Sequence, residues 1–259
     1  METRDQTGYS LIVPDNPSRI ISLVPSQTEL LIDLGLADRL VGRTKFCVHP
    51  ASKVEVIPII GGTKNYRFDV IESLNPDLIL GNKEENEKQG IERLRASYPV
   101  WLSDIQKVHD AMQMIETFGI FFGVEDQASY QNECIQERID DFDEKKRLNS
   151  IYLIWKDPWM AAGKETFIDE MMRLSGFQNS VTKSRYPEVS LDEIRTMNPE
   201  LVLLSSEPYP FKEHDVVELQ RQLPGIRVIW VDGEMFSWYG SRLIRAMDYL
   251  QELYEELES

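Results

Sequence analysis

The sequence predicts an α/β protein of two lobes, each built on a mostly parallel sheet, joined by one long helix. Three observations predict it. Short apolar runs alternate with amphipathic segments along the whole chain, the order that builds a parallel sheet with crossover helices. Residues 68–80, FDVIESLNPDLIL, recur as residues 191–203, LDEIRTMNPELVL, with six of thirteen positions identical (Asp69/Asp192, Ile71/Ile194, Asn75/Asn198, Pro76/Pro199, Leu78/Leu201, Leu80/Leu203). Between the two copies, residues 125–147 run without Gly or Pro and carry Ala128, Ile135, Ile139 and Phe142 at helical spacing opposite a charged face. Glu125 and Asp126 open that stretch and Lys145, Lys146 and Arg147 close it, the polarity a helix dipole favours. At about 1.5 Å per residue it would span roughly 33 Å. The expected division is a first lobe over 1–124, a connecting helix over 125–148 and a second lobe over 149–259.

In order, residues 1–19 hold Pro14 and Pro17 and read as an extended lead-in. Ile20 to Val24 is a buried strand that stops at Pro25. A helix follows, in which Ser26 and Glu29 have capping-box spacing and Gly35 supplies the stop. A basic, sulfur-containing loop, RTKFCVHP, leads to Ile57 to Gly62, where paired glycines allow a turn or a close approach to a ligand. Then come a short helix from Asp69, strands at Leu78 to Leu80 and Pro99 to Trp101 with a charged helix between them, and a long helix from Gln106 to Phe122. The second half repeats the programme. Ile151 to Trp155 is a strand, DPWMAAGKET a longer loop, Phe167 to Leu174 a helix ended by Gly176, and Leu191 to Met197 a helix with Ser190 and Glu193 at capping-box spacing. Strands at Leu201 to Leu204 and Val228 to Val231 alternate with helices at Asp215 to Gln222 and Ser241 to Glu256.

A chain of 259 residues with 42% hydrophobic and 28% charged residues has the size and balance for two globular lobes. Its net charge of −16 argues against nucleic acid and against an anionic membrane surface. The two cysteines, Cys47 and Cys134, make no disulfide framework. METRDQTGYS is too polar for a signal-peptide core. That predicts either a cytoplasmic protein as written or one whose export signal was removed and a Met added.

Ligands of open α/β sheets bind beyond the carboxyl ends of the strands. The loops there carry Ser26 and Gln27, Phe46 to His49, Gly61 to Tyr66, Trp155 to Trp159, Tyr186, and Phe236 to Tyr239. Nearly all hold an aromatic, which suits a wide, flat, partly apolar ligand held by stacking, or a cap over the core beneath. Signatures of nucleotide binding and of common hydrolases are missing: Gly163-Lys164 is followed by Glu165, and GxGxxG, GxSxG and HExxH do not occur. With three histidines, a multi-histidine zinc site is not expected. His49, in CVHP, could reach a metal centre within a ligand or serve as a hydrogen-bonded loop residue. Asp69 and Asp192 sit at matching first turns, where they stabilise the helix dipole or form a paired docking surface for arginines of a dimeric partner.

RIISLVPSQTELLIDLGLADRLVG, the HP turn, FDVIESLNPDLIL, the long helix, WMAAGKETFIDEMMRLSGF and EVSLDEIRTMNPELVLL together resemble the helical-backbone (class III) substrate-binding proteins of ABC transporters, most of all the cobalamin branch and next the ferric-siderophore and haem binders. The resemblance implies two Rossmann-like lobes, a rigid connecting helix, and a corrinoid or related metal chelate clamped between the lobes by a non-catalytic, monomeric receptor with no intrinsic cofactor. It implies stacking by Phe46, Trp155, Trp159, Trp238 and Tyr239, hydrogen bonds from Ser26 and Gln27, a contribution from Tyr186, and an axial contact from His49. Thr63 falls where the cobalamin binder has a cleft-lining tryptophan. Asp69 and Asp192 would meet the permease, with the receptor in the periplasm or at the cell surface. A cytoplasmic enzyme or carrier of a corrinoid or other metal cofactor, suggested by the polar start and Cys47, is the alternative, and a protein-interaction module a third.

Overall fold

The computed structural model describes residues 1–142 and 147–258. Two compact units are present. The first comprises Met1–Ile105, His109–Cys134 and Tyr239–Arg242, and the second Gln106–Val108, Ile135–Trp238 and Leu243–Ser259. Residues 239–242 group with the first unit, where Arg242 pairs with Glu29.

In the first unit, strands β1 (Glu2–Arg4) and β2 (Ser10–Ile12) form an antiparallel hairpin rather than an extended lead-in. Asp5 makes the turn: its Oδ1 accepts from the N–H groups of Thr7 and Tyr9, and Gly8 takes φ +86°. Strands β3 (Ile20–Ser22), β4 (Leu40–Arg43), β5 (Leu78–Asn82) and β6 (Val100–Ser103) form a parallel sheet in the order β4, β3, β5, β6. Their residues are almost all buried, as continuous apolar runs covered on both faces must be. Trp101 packs edge-on against Phe118 and Phe121 of the helix Val108–Phe122.

The helix after β3, Pro25–Asp33, starts on proline, whose fixed φ suits a first turn, and has no side-chain cap. The capping box expected from Ser26 and Glu29 does not form, because both lie inside the helix and Glu29 binds Arg242. The central helix runs from Glu125 to Asp140 and not to 147, and Leu148 already belongs to a strand. Asp140 and Asp141 place negative charge where the dipole is itself negative, which opposes continuation. Lys145 and Lys146 lie outside the described residues.

In the second unit, β7 (Leu148–Trp155), β8 (Met160–Ala161), β9 (Phe177–Asn179), β10 (Leu201–Ser205) and β11 (Arg227–Val231) make one sheet. β11, β10, β7 and β9 pair in parallel, and the short β8 returns antiparallel on the far end of β7. Its core includes Ile151, Leu153, Val202, Leu204, Leu219 and Val228.

The sequence repeat has a physical cause in each unit. Asn75 and Asn198 end their helices in the left-handed conformation, at φ 43° and 47°, which Asn tolerates better than most side chains. The proline that follows prevents the helix from resuming. The next acid then receives the start of the neighbouring strand: Asp77 accepts from the N–H groups of Ser18 and Arg19, and Glu200 from that of Asn149. Ser190 and Glu193 form the expected capping box on Leu191–Met197. The Ser190 N–H and then Lys183 hold the Glu193 carboxyl at about 2, so this interaction persists at neutral pH and is lost only as pH falls toward that value.

Candidate functional site

The carboxyl end of the first sheet carries a buried network of amides and hydroxyls. Gln27 is fully buried, and its Nε2 donates to the Gly81 carbonyl (2.9 Å) and to Ser103 Oγ (2.8 Å). Asn82 Nδ2 also donates to Ser103 Oγ (3.0 Å), and the Asn82 N–H donates to Asn86 Oδ1 (2.8 Å). Asn86 Nδ2 and Tyr66 OH both reach the Thr63 carbonyl, fixing the loop after Gly61. Tyr239 OH donates to Glu85 Oε1 (3.2 Å) and lies 3.5 Å from Ser103 Oγ. Burial, and then the Glu85 charge, push the Tyr239 phenol well above its ordinary range, so it remains a donor. In the loop after β4, Phe46 is 48% exposed with the Lys45 ammonium over its ring, and His49 is half-buried.

Cys47 is buried, and its sulfur lies 3.2 Å from Thr44 Oγ1. Burial pushes its thiol upward, and a protonated thiol is a weak nucleophile and a weak metal ligand. The Arg43 guanidinium, also buried, donates to the carbonyls of Val54 and Thr44.

The carboxyl end of the second sheet is aromatic and acidic. Trp155, 40% exposed, meets Tyr209 edge to face at 5.5 Å, while Trp159 stacks on Phe211 with ring planes 7° apart. Lys156 is held by Asp215 (3.0 Å) and Glu218 (2.8 Å), whose hydrogen bonds raise its pKa. Glu207 Oε1 accepts from Ser237 Oγ (2.6 Å) and Trp238 Nε1 (3.0 Å). Burial holds the Glu207 carboxyl above the usual carboxylate range.

The candidate residues thus separate into three groups. Trp155 and Phe46 present rings to solvent, and Trp159, Tyr186, His49 and Thr63 are half-buried. Gln27, Ser26, Trp238 and Tyr239 are buried, and the bonds of Gln27, Trp238 and Tyr239 run to neighbouring loops. Asp69 and Asp192 are exposed in the first turns of Phe68–Leu74 and Leu191–Met197, with Asp192 ion-paired to Arg195. Sequence reasoning passed over Glu85, Asn82, Asn86, Glu207, Tyr209 and Phe211. The loop after β10, EPYPF, meets the strand-end criterion and was the available signal. Among the described residues, no group of three or more His, Cys, Asp or Glu side chains is placed to hold a metal ion, and no helix is long and apolar enough to cross a membrane.

Comparison with known proteins gives consistent results. An uncharacterised ABC transporter substrate-binding lipoprotein, YvrC of Bacillus subtilis, is 24% identical over 265 aligned residues, covering 96% of this chain and 83% of that protein. The vitamin B12-binding protein of Vibrio parahaemolyticus is 24% identical over 258 residues, covering 96% and 93% respectively. Among solved structures, the periplasmic vitamin B12 binding protein BtuF of Vibrio cholerae superposes with a TM-score of 0.81 at 19% identity, over 95% of this chain and 100% of that one. Residues 20–222, from β3 through the helix Glu213–Gln222, match the family described as periplasmic binding protein, and the chain belongs to that family.

Proposed function

We propose that this protein is the substrate-binding component of an ABC transporter and that its cargo is a corrinoid, the vitamin B12 class of cobalt chelate. The observation that carries the cargo assignment is the chemistry at the two strand ends. One offers the Trp155 ring, 40% exposed and paired with Tyr209, and the other the exposed Phe46 ring, beside loops that a buried amide and hydroxyl network around Ser103 holds in place. A corrin is a broad, largely apolar macrocycle edged with amides, so stacking suits its face and hydrogen bonding its rim. His49 would supply an axial contact to the cobalt. The B12-binding relative in Vibrio parahaemolyticus supports the same cargo, and the Bacillus subtilis lipoprotein supports a place outside the cytoplasmic membrane, in the periplasm or at the cell surface.

Titration with cyanocobalamin, haemin and a ferric tris-catecholate, followed by tryptophan fluorescence and ligand absorbance, tests the assignment. Cyanocobalamin is expected to bind with a dissociation constant below about 1 μM, equivalent to roughly −8 kcal/mol. Binding of haemin or the catecholate alone would replace the corrinoid with another chelate and leave the receptor role intact. Binding of none would remove the function proposed here.

The partner in this reading is the permease dimer, met by a monomeric receptor. Asp69 and Asp192 would face its arginines, and Asp192 helps to line a cavity of about 380 Å³ that combines Val181, Val189 and Met197 with Lys183 and Glu193. The double variant Asp69→Lys/Asp192→Lys, assayed with the reconstituted permease, is expected to lose cargo-stimulated ATP hydrolysis by about tenfold or more while retaining cargo affinity. Unchanged stimulation would move the docking surface elsewhere.

A further inference from the structure

Glu207 is held in an unusual way for an acid beside a ligand surface. Both of its side-chain donors, Ser237 Oγ and Trp238 Nε1, converge on Oε1. Oε2 has no hydrogen-bond partner among the described residues. The backbone of Glu207 is fixed as well: Ser205 Oγ donates to the Glu207 carbonyl at 2.5 Å and itself accepts from Tyr152 OH at 2.8 Å. Room for the side chain comes from Gly233, where a Cβ would lie 2.4 Å from Ser205 Oγ and 2.7 Å from Glu207 Cγ. A carboxylate this constrained is preorganised to accept on one free oxygen.

Its surroundings decide what it would accept from. Tyr209, two residues on in the same loop after β10, forms the aromatic pair with Trp155, so Glu207 shares its loop with the surface proposed for the macrocycle face. Asp232 and Glu234 add negative charge around it. Lys156, the cation at the end of the adjacent strand, is already bound by Asp215 and Glu218 and does not offset them. A ligand edge bearing carboxylates would meet like charge at a partly desolvated site, whereas N–H donors would complete the free valence.

We propose that Glu207 selects the cargo by the chemistry of its rim, accepting on Oε2 from primary amide or ammonium donors and rejecting rims of carboxylates. This rests on the corrinoid reading above. Two corrinoids separate the two claims, because they share a macrocycle and differ at the rim: dicyanocobinamide carries amides, and dicyanocobyrinic acid carries carboxylates. Affinities for both are measured on the wild-type protein and on Glu207→Gln, whose carbonyl can still accept from Ser237 and Trp238. The wild type is expected to prefer the amide form by about thirtyfold or more, and Glu207→Gln to reduce that ratio by about tenfold.

Using the ratio cancels any general loss of binding, and thermal unfolding of the variant checks that it folds. Equal wild-type affinities for the two probes would overturn the assignment whether or not the variant folds. A variant that keeps the wild-type ratio would overturn it too. Binding of neither probe by the wild type would instead remove the corrinoid reading, and this inference with it.

Discussion

Arg242→Met is expected to lower the unfolding free energy by about 3–5 kcal/mol, read from denaturant titration. Arg242 and Glu29 form a bidentate pair at 2.7 and 2.8 Å, with side chains only 5% and 6% exposed. Removing the guanidinium leaves a carboxylate buried on the helix Pro25–Asp33 without its partner, and the desolvation of that charge is then uncompensated. The double variant Glu29→Met/Arg242→Met removes both charges and is expected to recover most of the loss, since apolar side chains of similar volume can replace a buried pair. A double variant as unstable as the single one would show that the damage comes from packing and not from charge. The pair also explains why residues 239–242 associate with the first unit, a feature with functional weight because the same short segment presents Tyr239 to Glu85 and Ser103.

Gly163→Ala is expected to destabilise the second unit by about 3 kcal/mol, the upper end for overpacking, with a matching fall in melting temperature. A Cβ there would lie 2.0 Å from the Lys183 carbonyl oxygen and 3.1 Å from that of Arg185, and backbone cannot swing aside as a flexible side chain can. The close approach is needed for pairing: the Gly163 N–H donates to the Arg185 carbonyl at 2.7 Å, and Lys164 bridges to Ser184. The rest of the GKETFIDE run completes the junction. Thr166 caps Phe167–Leu174 by accepting from the Asp169 N–H, and Asp169 binds both Lys164 and Asn179. A loss under about 1 kcal/mol would mean that the two backbones separate at little cost.

These cases mark what could be read from the sequence. The duplicated Asn-Pro turn was legible because helix, left-handed cap and proline are neighbours in sequence, and the helices Phe167–Leu174 and Leu191–Met197 lie where capping and periodicity place them. The capping-box pattern at Ser26 and Glu29 misled because the N-cap is Val24, two residues before Ser26, and Glu29 finds its partner in Arg242, far along the chain. β8, two residues long, and the β1–β2 hairpin lie below the length at which alternation can be recognised. The connecting helix ends at Asp140, short of the expected stretch, where Asp140 and Asp141 oppose the charge polarity that Arg147 suggested. At the candidate site, the aromatics stood out as residue types. Asn82, Asn86, Glu85 and Glu207 did not, because their roles come from partners brought close only by folding, such as Trp238 for Glu207 and Tyr239 for Glu85.

The central claim is that loops at the carboxyl ends of these sheets take a corrinoid. A crystal structure of the protein grown with saturating cyanocobalamin tests it most directly. The corrin is expected to lie with one face on the Trp155 ring and its amide rim within hydrogen-bonding distance of the loop after β10. A corrin bound elsewhere on the protein, or well-ordered crystals from which it is missing, would contradict the account.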